Sequence, residues 1–233
     1  MVLPARLGAT RLPGKPLIPI DGIPLIQRAF NGVNAIFEHV VVATDSEEIL
    51  HFCKEQNIPA LLTANSHING TTRTLEAYEL FGKAFDYVIN VQGDEAFIGE
   101  DQLLPLCELL QNKAPDAATL MAPVPSYDST SNVFVSTDLN QRALLFSRSP
   151  IPFNHTGIDI QRFQHIGVYA YRPEALKRYC SLSPTPLEQA ESLEQLRWME
   201  HGYDWHVATV KSKPLSIDTP KDLELAESLL KQA

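Results

Sequence analysis

Arg6, Arg11 and Lys15 place three cations within ten positions of one another, in a chain whose formal net charge is −9. The segment that carries them, Pro4 to Pro16, is built from small residues, prolines and glycines. Small residues leave backbone N–H groups open to an anion, and proline restricts the path of the loop. A constrained cationic loop set against an acidic balance has the chemistry of a polyphosphate site; the plainer alternative is a solvated basic surface loop. A Walker A loop is excluded. That motif needs four residues between its glycines and Ser or Thr after the lysine, whereas five residues separate Gly8 from Gly14 here and Pro16 follows Lys15.

Two acidic positions could complement those cations. Asp94 and Glu95 directly follow an apolar run, and Asp218 opens the sequence Asp218-Thr219-Pro220. A nucleoside triphosphate carries Mg²⁺, which takes one or two protein carboxylates beside the phosphate oxygens. Asp94 and Asp218 are the candidate ligands. Each also has an ordinary structural role available, Asp94 as a turn or cap residue and Asp218 as a helix N-cap ahead of proline. The seven histidines form no zinc pattern; His201 and His206 straddle a turn at Gly202. The three cysteines, Cys53, Cys107 and Cys180, are widely spaced and are expected as reduced thiols of a cytoplasmic protein.

The elements that must position these groups alternate. Residues 40–44 read as a strand ending at the helix-capping Asp45-Ser46, followed by a helix over 47–56. A short strand at 60–63 precedes a helix over 71–83, and the nearly continuous apolar run at 87–92 reads as a strand buried on both faces. A helix over 101–111 and a strand over 117–124 follow. Repeated β-α units predict a mostly parallel, Rossmann-like sheet with helices on both faces, and ligands at the carboxyl ends of its strands. The N-terminal loop and the turn at 93–95 both fall at that edge.

The second half changes character. Paired strands are expected at 134–136 and 143–146, joined around 138–141, with further strands at 165–171 and 205–210. A continuous acidic helix is expected over 187–200, and a last helix over 219–231, capped near Asp218. The simplest organisation is one domain over 1–233 with a β-rich insertion at about 125–172. At 26.0 kDa with 44% hydrophobic residues the core is ample. A pI of about 5.2 argues against a general nucleic-acid or membrane-surface binder. No apolar run reaches the roughly 20 residues that span a bilayer, and no signal-peptide pattern precedes the loop.

Taken in order, Pro4 to Arg6, Thr10 to Leu17, Ala43 to Asp45 and Asn90 to Glu95 resemble the sugar cytidylyltransferases. Phe146 to Arg148, His165 to Tyr171, Leu193 to Arg197 and Ile217 to Pro220 are similar to one branch, the 3-deoxy-manno-octulosonate (Kdo) cytidylyltransferases, or CMP-Kdo synthetases. The resemblance implies a three-layer α/β/α nucleotidyltransferase fold and a CTP- and Mg²⁺-dependent enzyme of lipopolysaccharide synthesis. It assigns Arg11, Lys15 and Asp94 to catalysis. Leu3, Ala5, Arg6, Arg11, Lys15, Gly70, Arg73 and Gln92 fall at the nucleotide, with Arg73 toward the cytosine. Gln92, Arg148, His165, Tyr169, Glu194 and Gln195 fall at the acidic sugar, and Asp94 and Asp218 at Mg²⁺. The insertion and residues 147–152 are expected to form a homodimer; no nucleic-acid or membrane partner is implied.

This chain departs from the family pattern twice. Thr72 stands where an acidic residue is usual, and Phe134 where a lysine is usual, so a lysine at 134 is expected to improve sugar binding. The alternatives these departures leave are a cytidylyltransferase for another 2-keto sugar acid (an 8-amino-Kdo or a sialic-acid-like substrate) and an attenuated CTP-binding protein. The reaction implied is in-line attack of the sugar's anomeric hydroxyl on the α-phosphate, in which positioning and electrostatics dominate. His165 reads as a sugar-hydroxyl ligand or as a satisfied core histidine.

Overall fold

Four short parallel strands organise the first third of the chain. In a computed structural model, which describes residues 1–8, 12–93, 95–124 and 132–231, the chain divides into two compact units, Met1–Glu100 with Pro214–Ala233, and Asp101–Lys213. The first unit opens with β1 (Val2–Ala5). A 3₁₀ turn (Lys15–Leu17), β2 (Pro19–Ile20) and β3 (Ile23–Pro24) lead into α1 (Leu25–Asn34). Then come β4 (Val41–Thr44), α2 (Glu47–Glu55), β5 (Ala60–Leu62), α3 (Gly70–Phe81) and β6 (Val88–Val91). The sheet order is β6-β1-β4-β5, every pairing parallel. Strands β1, β4 and β6 are buried at every position, as apolar runs without alternation require.

The helices of this unit start where short polar side chains can accept a backbone N–H. Ser46 accepts from Ile49 N–H, and Asn69 accepts from Thr72 N–H at 2.9 Å. The helix α1 buries Leu25, Ile26, Ala29, Phe30 and Val33, one stripe at helical spacing.

The second unit contains α4 (Glu100–Lys113), β7 (Ala117–Pro123), β8 (Phe134–Thr137), β9 (Ala143–Ser147), β10 (Phe163–Tyr171), α5 (Pro173–Ser181), α6 (Pro186–Glu191), α7 (Gln195–Glu200) and β11 (His206–Thr209). Here β11 pairs parallel with β7, while β7-β10-β8-β9 are antiparallel neighbours. Its core is aromatic: Tyr171, Tyr179, Trp198 and Trp205 are fully buried and in ring contact. The chain then returns to the first unit with α8 (Pro220–Leu230).

Two local expectations are corrected. The acidic helix expected over 187–200 is two helices, because Ser192 takes a left-handed conformation (φ 52°) and ends α6, so Glu188 and Glu200 belong to separate elements. The last helix is capped by Thr219, which accepts from Asp222 N–H while the Asp222 carboxylate accepts from Thr219 N–H. Asp218 stands one residue outside that capping box.

Candidate active site

The parallel register of β1 with β4 and β6 puts Ala5, Thr44 and Val91 at one carboxyl edge. Just beyond that edge a cleft of about 390 Å³, open to solvent, is lined by Pro4, Ala5, Arg6, His67, Asn69, Gly70, Arg73 and Gln92. Five of these, Ala5, Arg6, Gly70, Arg73 and Gln92, are residues that the sequence assigned to a nucleotide. Pro4, His67 and Asn69 are additions. Asn69 carries an N-cap signal ahead of Gly70, but nothing in the local spacing brings His67 to the cleft.

Each wall residue is held in place. Arg73 is only 3% exposed and donates to Asp45 Oδ2 at 2.7 Å, to Thr63 Oγ1 at 2.6 Å and to the Ala64 carbonyl at 3.4 Å. Its guanidinium is therefore a fixed part of the wall. The side chain of Gln92 lies against the start of α3: a Cβ on Gly70 would stand 2.9 Å from Gln92 Oε1 and 3.1 Å from Pro4 Cγ. Glycine at 70 permits that approach. Gly93 is close in the same way, its would-be Cβ 3.0 Å from the Pro4 carbonyl. His67 Nε2 bonds Glu76, whose two oxygens also receive Ala64 N–H at 2.9 and 3.2 Å. The His67 bond and then the Ala64 N–H hold the Glu76 carboxyl below its usual range, against the opposing effect of burial. Leu3, by contrast, is fully buried in β1, so its side chain is a core group.

At the end of the cationic loop, Lys15 Nζ donates to Asp218 Oδ1 at 3.1 Å, a pair 203 positions apart in the chain. Packing explains the meeting: Leu12, three residues before Lys15, and Ile217, beside Asp218, lie in one buried cluster with Ile20, Leu25, Ala96 and Ala226. Asp218 thus stands beside the capping pair, and its carboxylate faces a cation. Asp222 carries the cap; its carboxyl is held below the usual range by the Asp218 N–H and the Thr219 hydroxyl and N–H, against an upward push from burial. Arg11 and Asp94 lie outside the described residues. Among the described residues no cluster of three or more His, Cys, Asp or Glu could hold a metal, and no helix is long and apolar enough to cross a membrane.

The residues assigned to the sugar lie in the second unit, except Gln92. His165, Tyr169 and Gln195 are 6%, 5% and 2% exposed. Thr119 Oγ1 lies 2.7 Å from the Val168 carbonyl and 2.9 Å from His165 Nε2. A hydroxyl has one proton, and a carbonyl can only accept, so the Thr119 proton goes to Val168 and His165 Nε2 carries its own proton to Thr119. Burial, with Lys213 adding to it, pushes the His165 pKa down to about 3. The ring is neutral, with Nδ1 as an acceptor. Tyr169 Oη reaches Gln195 Oε1 at a long 3.5 Å, and Trp205 Nε1 fixes the Gln195 carbonyl at 2.9 Å. Glu194 is the N-cap of α7 and its carbonyl accepts from Tyr179 Oη at 2.8 Å. Arg148 donates from Nε to the Glu191 carbonyl at 2.7 Å and from Nη2 to the Ser192 carbonyl at 3.4 Å.

Both departures acquire a structural account. Thr72 closes the first turn of α3, its hydroxyl donating to the Asn69 carbonyl at 3.2 Å. Phe134 is one of the largest fully buried side chains. A lysine there, with the rest of this core unchanged, would bury an ammonium, so the expected improvement in sugar binding does not follow from this packing.

Comparison with known proteins agrees with the geometry. The cytidylyltransferase family matches residues 1–212. A 3-deoxy-manno-octulosonate cytidylyltransferase of Phocaeicola vulgatus is 39% identical over 99% of this chain and 96% of its own length. One from Rickettsia akari is 41% identical, covering 97% of this chain and 92% of its own. The solved structure of a CMP:2-keto-3-deoxy-manno-octonic acid synthetase complexed with CTP superposes with a TM-score of 0.92 at 36% identity, over 99% of this chain and 97% of that one. The chain belongs to the cytidylyltransferase family, and within it to the 3-deoxy-manno-octulosonate cytidylyltransferases.

Proposed function

We propose that this enzyme activates Kdo with CTP, giving CMP-Kdo and pyrophosphate for lipopolysaccharide assembly. The oxygen of the sugar's anomeric hydroxyl forms a bond to the α-phosphorus of CTP. The bond to the bridging oxygen breaks, pyrophosphate leaves with the electron pair, and the hydroxyl proton passes to solvent. What carries this assignment is the cleft at the carboxyl edge of β1 and β6, where Ala5, Arg6, Gly70, Arg73 and Gln92 converge, in a chain matching Kdo cytidylyltransferases over nearly its whole length.

In this role the cleft takes the cytidine end of CTP, and Arg11 and Lys15 take the phosphates, where charge accumulates during displacement. The partly exposed Asp218 carboxylate beside Lys15 fits a divalent ion that arrives on the triphosphate, which needs only one or two protein carboxylates. Asp94 and Asp218 would hold it, and Mg²⁺ would supply Lewis-acid stabilisation of the phosphoryl oxygens. His165 offers Nδ1 as acceptor to a sugar hydroxyl, with Tyr169, Glu194 and Gln195 as further hydroxyl ligands and Gln92 reading sugar and nucleotide. Arg148 uses Nε and Nη2 on carbonyls and retains further N–H donors for the sugar carboxylate. The enzyme works in the cytoplasm. It does so as a homodimer, supported by Leu144 on strand β9 (61% exposed) and by Phe153 (82% exposed). Pyrophosphate release with CTP and Kdo, each omitted in turn, tests the reaction. Release that does not depend on Kdo would overturn the sugar assignment, and sedimentation tests the dimer.

A further inference from the structure

One wall residue of the nucleotide cleft carries an acceptor whose orientation a second side chain fixes; the Gln92 amide also offers an oxygen, lying against Gly70 at the start of α3. Arg6 and Arg73 bring only N–H donors, and Asn69 spends its side-chain oxygen on Thr72 N–H. His67 is different because Glu76 fixes its tautomer. The Glu76 carboxylate receives Ala64 N–H on both oxygens. It is ionised and can only accept, so His67 Nε2 must donate to it. In the neutral ring Nδ1 is then a lone-pair acceptor, on a side chain that is 15% exposed and clamped. Glu76 itself sits on α3, whose first turn forms the same cleft.

Cytosine and uracil differ on their pairing edge. Cytosine offers a 4-amino donor and uracil a 4-oxo acceptor. Donors alone would favour uracil or be indifferent, so a cleft that selects cytosine needs a fixed acceptor. We propose that His67, clamped by Glu76, accepts from the 4-amino group of CTP at Nδ1 and so sets the preference for CTP over UTP. This assignment rests on cytidylyl transfer being the reaction and names a selector within that site.

Direct titration of CTP and UTP against the intact chain tests it without turnover. In His67→Phe, CTP affinity falls roughly tenfold while UTP affinity stays within about twofold, the scale of one unmade hydrogen bond. His67→Asn, whose side-chain oxygen falls where Nδ1 stands, keeps most of the CTP preference. Glu76→Gln releases the tautomer and lowers the preference with the imidazole still present, which covers the case where His67→Phe fails to fold. Equal weakening of both nucleotides in His67→Phe would place His67 on the phosphates or in a structural role and overturn the assignment. An unchanged CTP:UTP ratio in a wild-type background that favours CTP would overturn it alone. A wild-type chain that binds no CTP would sink cytidylyl transfer with it.

Discussion

The proposed nucleotide side and the proposed sugar side of this enzyme are built differently. In the first unit the polar candidate ligands other than the buried Arg73 line an open cleft and are at least partly exposed, and the groups that fix Arg73 and His67, Asp45 and Glu76, stand at its margin. In the second unit His165, Tyr169 and Gln195 are themselves core residues, tied to Thr119, to one another and to Trp205. The difference separates two costs. A polar group on an open wall loses little when its ligand is absent, because water replaces the ligand. A polar group inside a core must be satisfied at all times, so its function and its contribution to folding cannot be removed independently.

The largest effect is expected from Lys15→Ala, which should lower turnover roughly 10²-fold, the scale of losing one charge-stabilising donor. Its melting temperature should hardly change, since the partly exposed Lys15–Asp218 pair contributes little to stability. Steady-state kinetics with a parallel melt checks this; wild-type turnover would remove Lys15 from the mechanism, and collapse of the melt would break the contrast drawn above.

On the sugar side, Thr119→Val keeps the shape but leaves the Val168 carbonyl and His165 Nε2–H without their hydroxyl partner. It should cost about 1–3 kcal/mol of stability in urea unfolding and raise KM for Kdo while leaving KM for CTP alone. Stability loss without any change in Kdo KM would make His165 a core histidine only.

A finer separation concerns the last helix. Thr219→Ala should cost about 1 kcal/mol as a lost N-cap with turnover retained. Asp218→Asn should do the reverse, keeping the melt and weakening the dependence on divalent metal. If Asp218→Asn lowered only the melting temperature, its place beside Lys15 would have no catalytic meaning.

The last expected effect is in pH. With its pKa pushed down to about 3 in the fold, His165 binds a proton more readily in the unfolded chain than in the native one. Its contribution to stability is therefore complete above the ordinary histidine range and is lost as pH falls from about 6.5 toward 3, at up to about 1.4 kcal/mol per pH unit. His206, also lowered chiefly by burial, adds in the same sense. His165→Gln should flatten the decline in melting temperature between about pH 7 and about pH 5. An unaltered slope would mean that His165 is charged or accessible in the fold.

Much of the scaffold was legible in the sequence because its signals are local. Apolar runs marked β4 as a strand and β6 as a strand covered on both faces, and Ser46 announced α2 through a hydrogen bond that spans three residues. The ordered motifs carried the family, and five of the residues they pointed to line one cleft. Tertiary packing decided the rest. The pairing of Lys15 with Asp218 depends on one buried cluster that joins Leu12 to Ile217 across most of the chain. The cap expected at Asp218 falls one residue later, at Thr219, as the backbone geometry decides. The break at Ser192 rests on a single left-handed residue that apolar spacing does not reveal. The Nε2 protons of His67 and His165 are directed to Glu76 and Thr119, nine and 46 positions away, and burial keeps His165 neutral. Protonation and desolvation depend on what lies beside a group in space, and only the folded chain brings those partners together.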